Sequence, residues 1–231
     1  MVVQILFLIF TQFSHAQLSA CSTYSLEDSP ESLLNSYFIK CMYKDSTLYV
    51  DGAIDGNLIY ELTLNAPFPI KKLSLNSRGG LVADAFEVAA WVRDNNIETE
   101  VRENARCMSA CTLIFQAGTT RRAHPTALFM YHSARFPHQS QAQIMYLQTC
   151  LMDMTSGCED YIHSRAVALS RITNDLFNLY ETYDATGDLR TTYFSLPEDP
   201  QWHLNGNYLR IIDWSMRAPE AMAYNIVQEL I

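Results

Sequence analysis

Between residues 47 and 131 the chain switches repeatedly between short β-branched or aromatic runs and longer segments whose apolar residues recur at helical spacing. Residues 47–54 (TLYVDGAI) read as a strand closing on Asp55-Gly56, and residues 57–65 as a short helix stopped by Pro67 and Pro69. Residues 72–76 (KLSLN) make a second strand. Over residues 81–95, Leu81, Ala85, Val88, Ala89 and Val92 fall at helical spacing, which predicts an amphipathic helix starting just after Gly79-Gly80. Residues 97–101 form a third strand, 111–115 an apolar run entered through small residues, and 126–131 a further strand. Residues 141–154 and 159–183 have the periodicity of two helices. Residues 186–207, carrying Gly187, Pro197, Pro200 and Gly206, read as a long loop. Strands alternating with helices predict an α/β fold built on parallel strands.

The first residues bear on where such a domain works. Residues 2–10 are apolar apart from Gln4, too short a run to cross a bilayer, and Ser14-His15-Ala16 before Gln17 is a small-x-small cleavage site. The expectation is a signal peptide over 1–16, an exported protein, periplasmic or secreted, and a single domain over 17–231. A buried first strand is the competing reading of the apolar run. Leu18-Ser19-Ala20-Cys21 has lipobox-like composition, but polar residues separate it from the apolar run, so lipid anchoring at Cys21 is the lesser alternative.

Six cysteines in an exported chain read as disulfides rather than free thiols. Sequence neighbours suggest Cys107 with Cys111, Cys150 with Cys158 and Cys21 with Cys41; connectivity itself is open. Cys107 and Cys111 as zinc ligands is the weaker reading, since their spacing is not C-x2-C and no second ligand pair follows. The net charge of −9 and the confinement of the lysines to residues 40–72 leave no basic stripe, which argues against a nucleic-acid partner.

Candidate chemistry gathers at predicted strand ends, where ligands collect in parallel α/β layers. Asn76-Ser77-Arg78-Gly79-Gly80 lies where a strand gives way to a helix, and adjacent glycines there let backbone amides approach a ligand. A plain glycine turn is the alternative. Ser109, within Cys107-Met108-Ser109-Ala110-Cys111, also precedes an apolar helical run, so the amide of Ala110 is positioned to join that of Gly80 around an oxyanion. His132 ends the strand that follows. Backbone donors, a nucleophile and a base are the parts acyl transfer needs. A serine at a helix start is otherwise an N-cap, and a histidine at a strand end a satisfied polar residue. A cysteine nucleophile is excluded if Cys107 and Cys111 pair.

Asn76-Ser77-Arg78-Gly79-Gly80, then Ser109, then Gly118, Arg122 and Pro125, then Met130-Tyr131-His132, resembles the core of the Clp protease proteolytic subunit family within the ClpP/crotonase superfamily, most of all exported bacterial relatives with a Cys-x-Ser-Ala-Cys motif. The resemblance covers about residues 48–134 and resumes at Ala218-Pro219-Glu220-Ala221; residues 140–207 are not matched. It implies repeated β-β-α units with a parallel sheet and C-terminal helices. The core would span 47–134, a helical and loop region 140–207 and a closing segment 208–231. It also implies Ser109 as nucleophile, His132 as base, and Gly80 and Ala110 as oxyanion donors, with Gly79 and Arg78 beside the substrate. Arg78 stands where the family has proline, a cation either facing solvent or favouring acidic substrates. The third triad member is open: Asp213 is the nearest candidate, with Asp199 and Glu181 behind it.

The expectation is therefore an exported serine peptidase or hydrolase acting on peptides or unfolded segments. It needs no cofactor, metal or ATPase partner, and self-association follows from the resemblance. The rival is a binding module of the same fold without a complete triad. An acyl-CoA enzyme of the crotonase type and a serine-lysine dyad rank lower, the latter because no lysine lies near Ser109 in sequence.

Overall fold

The computed structural model describes residues 39–66, 69–132, 156–196 and 213–231. Two sheets organise them. The larger has six strands in the order β1 (Lys40–Lys44), β2 (Thr47–Asp51), β3 (Lys72–Asn76), β4 (Glu98–Val101), β6 (Arg121–Ala123) and β9 (Glu229–Leu230). Apart from the antiparallel β1–β2 hairpin, every pairing in it is parallel. The smaller sheet orders β5 (Arg106–Met108), β7 (Leu128–His132) and β8 (Asp213–Arg217), with β5 parallel and β8 antiparallel to β7.

Burial explains which segments were legible. β3 lies inside the larger sheet, and Leu73, Ser74, Leu75 and Asn76 are all buried, as expected of a parallel strand covered on both faces. Its polar residues are satisfied: Ser74 donates to Glu100 Oε1 (3.2 Å) and Asn76 Nδ2 to Asp51 Oδ1 (2.7 Å). Asp51 is itself fully buried and also receives the Arg102 guanidinium. The helix of residues 57–65 is realised as α1 (Gly56–Tyr60), capped by Asp55 accepting from the Asn57 amide at 3.0 Å, and a π-helical turn over Glu61–Asn65.

α2 (Val82–Asp94) buries Ala85, Val88, Ala89 and Val92, the stripe its periodicity marked. Leu81 departs from that stripe: it precedes the first helical residue and is 46% exposed. α3 (Ala110–Gln116) is buried at every position, which is why its sequence is largely apolar all round rather than two-faced, with Thr112 and Gln116 as its buried polar residues. α4 (Ser156–Thr182) covers α3, burying Thr173, Leu176, Phe177 and Tyr180 at helical spacing. Gln116 fastens the far end of α3 by donating to the Tyr183 carbonyl at 2.7 Å.

One expectation is corrected. The loop foreseen over residues 186–207 contains a helix, α5 (Gly187–Ser195), that buries Leu189 and Tyr193 one turn apart. Glycine and proline density drew the wrong reading. Gly187 sits at the helix start and Pro197 just beyond its end, where the extended Leu196 that precedes proline stops it. The chain closes through the helical turn α6 (Ala218–Ala221), in which Glu220 accepts from the Arg217 amide at 2.8 Å, and then β9. The helix foreseen over 141–154 and the segment 1–16 lie outside the described residues.

Candidate active site

β5, too short to show a pattern of its own, delivers Ser109. Ser77 donates to the Arg106 carbonyl (2.7 Å) and accepts from the Met108 amide (2.9 Å), so the glycine loop hangs directly on the strand that ends at the serine. Within that loop the Gly79 amide donates to Ser77 Oγ at 3.0 Å. Two of its positions admit only glycine. Gly79 has φ +90°, and a Cβ there would meet Ser109 Cβ at 2.7 Å and the Ala110 nitrogen at 2.9 Å. A Cβ on Gly80 would fall 1.9 Å from the Ile54 carbonyl oxygen, because Ile54 bridges to this point through the Gly79 carbonyl and the Leu81 amide. That bridge leaves the exposed Gly80 amide outside the ladder.

Ser109 itself adopts φ 54°, ψ −128°, a region side-chain-bearing residues rarely occupy. Such a conformation costs of order 1–3 kcal/mol and persists only where its surroundings hold it. Here the Ser109 amide donates to the Met130 carbonyl of β7 at 2.8 Å, and its carbonyl accepts from the Thr112 amide at 2.9 Å. Cys107 and Cys111 form a disulfide straight across the turn, their Cα atoms 5.2 Å apart. On the chain-entropy account a loop this short contributes about 2 kcal/mol, comparable with the strain of the turn it encloses.

The bond removes both sulfurs as nucleophiles. Of the other proposed disulfide residues, Cys41 is also disulfide-bonded. Cys21 and Cys150 lie outside the described residues, and Cys158 is described only as part of the α4 backbone.

The N-cap reading of Ser109 is not realised: its side chain makes no capping bond at the start of α3. Ser109 instead lines a cleft of about 80 Å³ together with Gly80, Val82, Ala110, His132, Leu176 and Tyr180. The residues foreseen from sequence as candidate nucleophile, base and oxyanion donors thus line one concavity. Among the described residues Ser109 Oγ makes no hydrogen bond, so it and His132 share the cleft without being joined. Gly79 packs beneath the serine, whereas the exposed Arg78 is absent from the lining.

Asp213 opens β8 as the register partner of His132. Glu181 lies on the exposed side of α4, in an ion pair with Arg190, and Asp199 is outside the described residues. Leu176 and Tyr180, from α4, were not foreseen as site residues. The signal was present only as an apolar stripe, which marks burial and does not say against what. Among the described residues no cluster of His, Cys, Asp and Glu is placed to hold a metal ion.

The two-sheet α/β frame has a counterpart among solved structures: a mutant ClpP1 from Listeria monocytogenes superimposes with a TM-score of 0.54 over 80% of this chain and 91% of that one, at 17% identity. The fold is ClpP-like. No protein-family model and no curated protein matches the sequence. The ClpP-like frame extends well beyond the motif-bearing core, since 80% coverage requires residues outside 48–134 to follow it as well.

Proposed function

We propose that the protein is a serine hydrolase, a peptidase acting on peptides or unfolded segments. One observation carries the reading: Gly80, Ser109, Ala110 and His132 line a single cleft. In this mechanism Ser109 Oγ attacks the substrate carbonyl carbon while His132 takes the hydroxyl proton. The carbonyl π electrons move onto oxygen, where the amides of Gly80 and Ala110 receive the negative charge. His132 then gives its proton to the leaving amine as the C–N bond breaks, and water repeats the sequence to release the acyl group.

Asp213 is the orienting carboxylate in this scheme, a role supported by its backbone position opposite His132 in the β7–β8 ladder. The unjoined Ser109 and His132 suit an unliganded site, because catalytic hydrogen bonds are often loose until substrate binds. Gly79 holds the serine turn, and Arg78 acts at the outer rim of substrate binding. The scheme uses no cofactor. Export, self-association and independence from an ATPase belong to the same proposal, and the disulfides at Cys107–Cys111 and Cys41 favour an oxidising compartment.

The unjoined pair also favours the second reading, a ClpP-like binding module without activity. A fluorophosphonate probe separates the two. Labelling of the folded protein that disappears in Ser109→Ala and His132→Ala supports the hydrolase. Folded protein that takes no label overturns it in favour of the binding module.

A further inference from the structure

Thr112 and Tyr180 are joined to the serine turn by a short hydrogen-bond chain. Thr112 Oγ1 donates to the Ser109 carbonyl at 2.6 Å, and Tyr180 Oη lies 2.7 Å from Thr112 Oγ1. A threonine hydroxyl has one proton. With that proton on the Ser109 carbonyl, the second contact requires the tyrosine to donate. The order is thus Tyr180 O–H to Thr112 O–H to the carbonyl of Ser109. Thr112 is fully buried and Tyr180 is 4% exposed, so water does not compete for either bond. Burial also pushes the Tyr180 phenol above its ordinary range, which keeps the donor proton in place.

The carbonyl this chain grips belongs to the peptide unit that carries the Ala110 amide. In a planar trans peptide the C=O and N–H point in opposite directions, so fixing one fixes the other. Two hydrogen bonds hold the Ser109 oxygen, from the Thr112 amide and the Thr112 hydroxyl. By fixing that oxygen they fix the N–H of Ala110, a residue that lines the cleft. Hydrogen bonds along such a chain also polarise one another, drawing electrons from the peptide and making its N–H a stronger donor.

We infer that Thr112 and Tyr180 are positioning residues for the oxyanion hole, aiming and polarising the Ala110 amide through the Ser109 carbonyl. The inference rests on the hydrolase reading and adds to it a role for α4, which neither the serine motif nor the glycine loop contains. It predicts an effect concentrated on the transition state, where negative charge on the substrate oxygen is greatest, and little effect on binding of the uncharged substrate.

The test uses the full chain with Thr112→Val, Thr112→Ser and Tyr180→Phe, each close to its parent in shape. The readouts are kcat and KM on a peptide ester or amide, and the affinity of a peptide boronate, whose tetrahedral adduct mimics the charged intermediate. Thr112→Val is expected to lower kcat about 10-fold or more, below the 10²–10³-fold of deleting an oxyanion donor outright. KM should stay within about two-fold and boronate affinity should fall in parallel with kcat. Thr112→Ser restores the hydroxyl and should restore kcat. Tyr180→Phe should act in the same direction, and the double variant should lose little more than Thr112→Val alone, because both act on one chain. Wild-type kcat and boronate affinity in Thr112→Val, or loss in Thr112→Ser equal to that in Thr112→Val, would overturn the inference. Wild-type protein that takes neither fluorophosphonate nor boronate would overturn the hydrolase reading itself, a distinct outcome.

Discussion

His132, the last residue of β7, and Asp213, the first of β8, are direct partners in an antiparallel ladder. The pairing sets a candidate base and a candidate carboxylate at the same rung, and the remaining rungs down to Leu128 and Arg217 fix that register. A slip of one residue would move every side chain of β8 to the opposite face.

Asp213→Asn keeps the size of the residue and removes its charge. If it orients His132, probe labelling and kcat should drop by about 10²- to 10⁴-fold with little change in Tm. Labelling within about two-fold of wild type would assign the orientation of His132 to another group.

Gly80 and Gly187 make a matched pair for backbone substitution. Gly80→Ala sets a methyl 1.9 Å from the Ile54 oxygen, so the loop must shift; thermal unfolding should show a lower Tm, and labelling of Ser109 should be lost. Gly187→Ala meets nothing within 4 Å at the start of α5, and should leave labelling unchanged with a Tm equal to or above wild type.

Replacing Cys107 and Cys111 together by alanine tests the brace across the serine turn. Urea unfolding should show a loss of about 2 kcal/mol. Labelling at a temperature where the variant remains folded should slow as well, because the strained Ser109 backbone loses one of its restraints. Unchanged stability and labelling would mean that the hydrogen bonds to Met130 and Thr112 suffice to hold the turn.

Arg121 is fully buried, and its guanidinium donates to the carbonyls of Ile226 (2.9 Å), Gly118 (3.1 Å) and Asn225 (3.0 Å), clamping the closing segment beneath β6. Arg121→Leu removes the donors to the Ile226 and Gly118 carbonyls and leaves the Asn225 carbonyl with only the 3.4 Å contact from Gln116 Nε2. A destabilisation of about 3 kcal/mol is expected, read as a lower urea midpoint with an unchanged m-value.

Much of the frame was legible because its signals are local. β3 and α2 declare themselves through alternating leucines and through helical spacing, and both appear within a residue of the expected bounds. Ser109, His132, Gly80 and Ala110 stood out as candidates because each lies in a short contiguous motif, and the structure brings the four to one cleft. Three-residue strands such as β5 and β6 hold too few positions to show a period, so they were missed although one of them delivers the serine. The helix α5 was hidden by glycine and proline that act at its two ends rather than within it.

By itself the sequence determined the α/β class, the chemically apt residues and the glycine turn, since backbone freedom, periodicity and side-chain chemistry are properties of neighbouring positions. Only the tertiary structure decided that Ser109 takes a strained conformation, that Asp213 falls opposite His132, and that Tyr180 reaches through Thr112 to the Ser109 carbonyl. The last two relations join residues far apart along the chain, and the first is held by Met130 of another strand. They depend on how sheets register and helices pack, and no single window of sequence contains both partners.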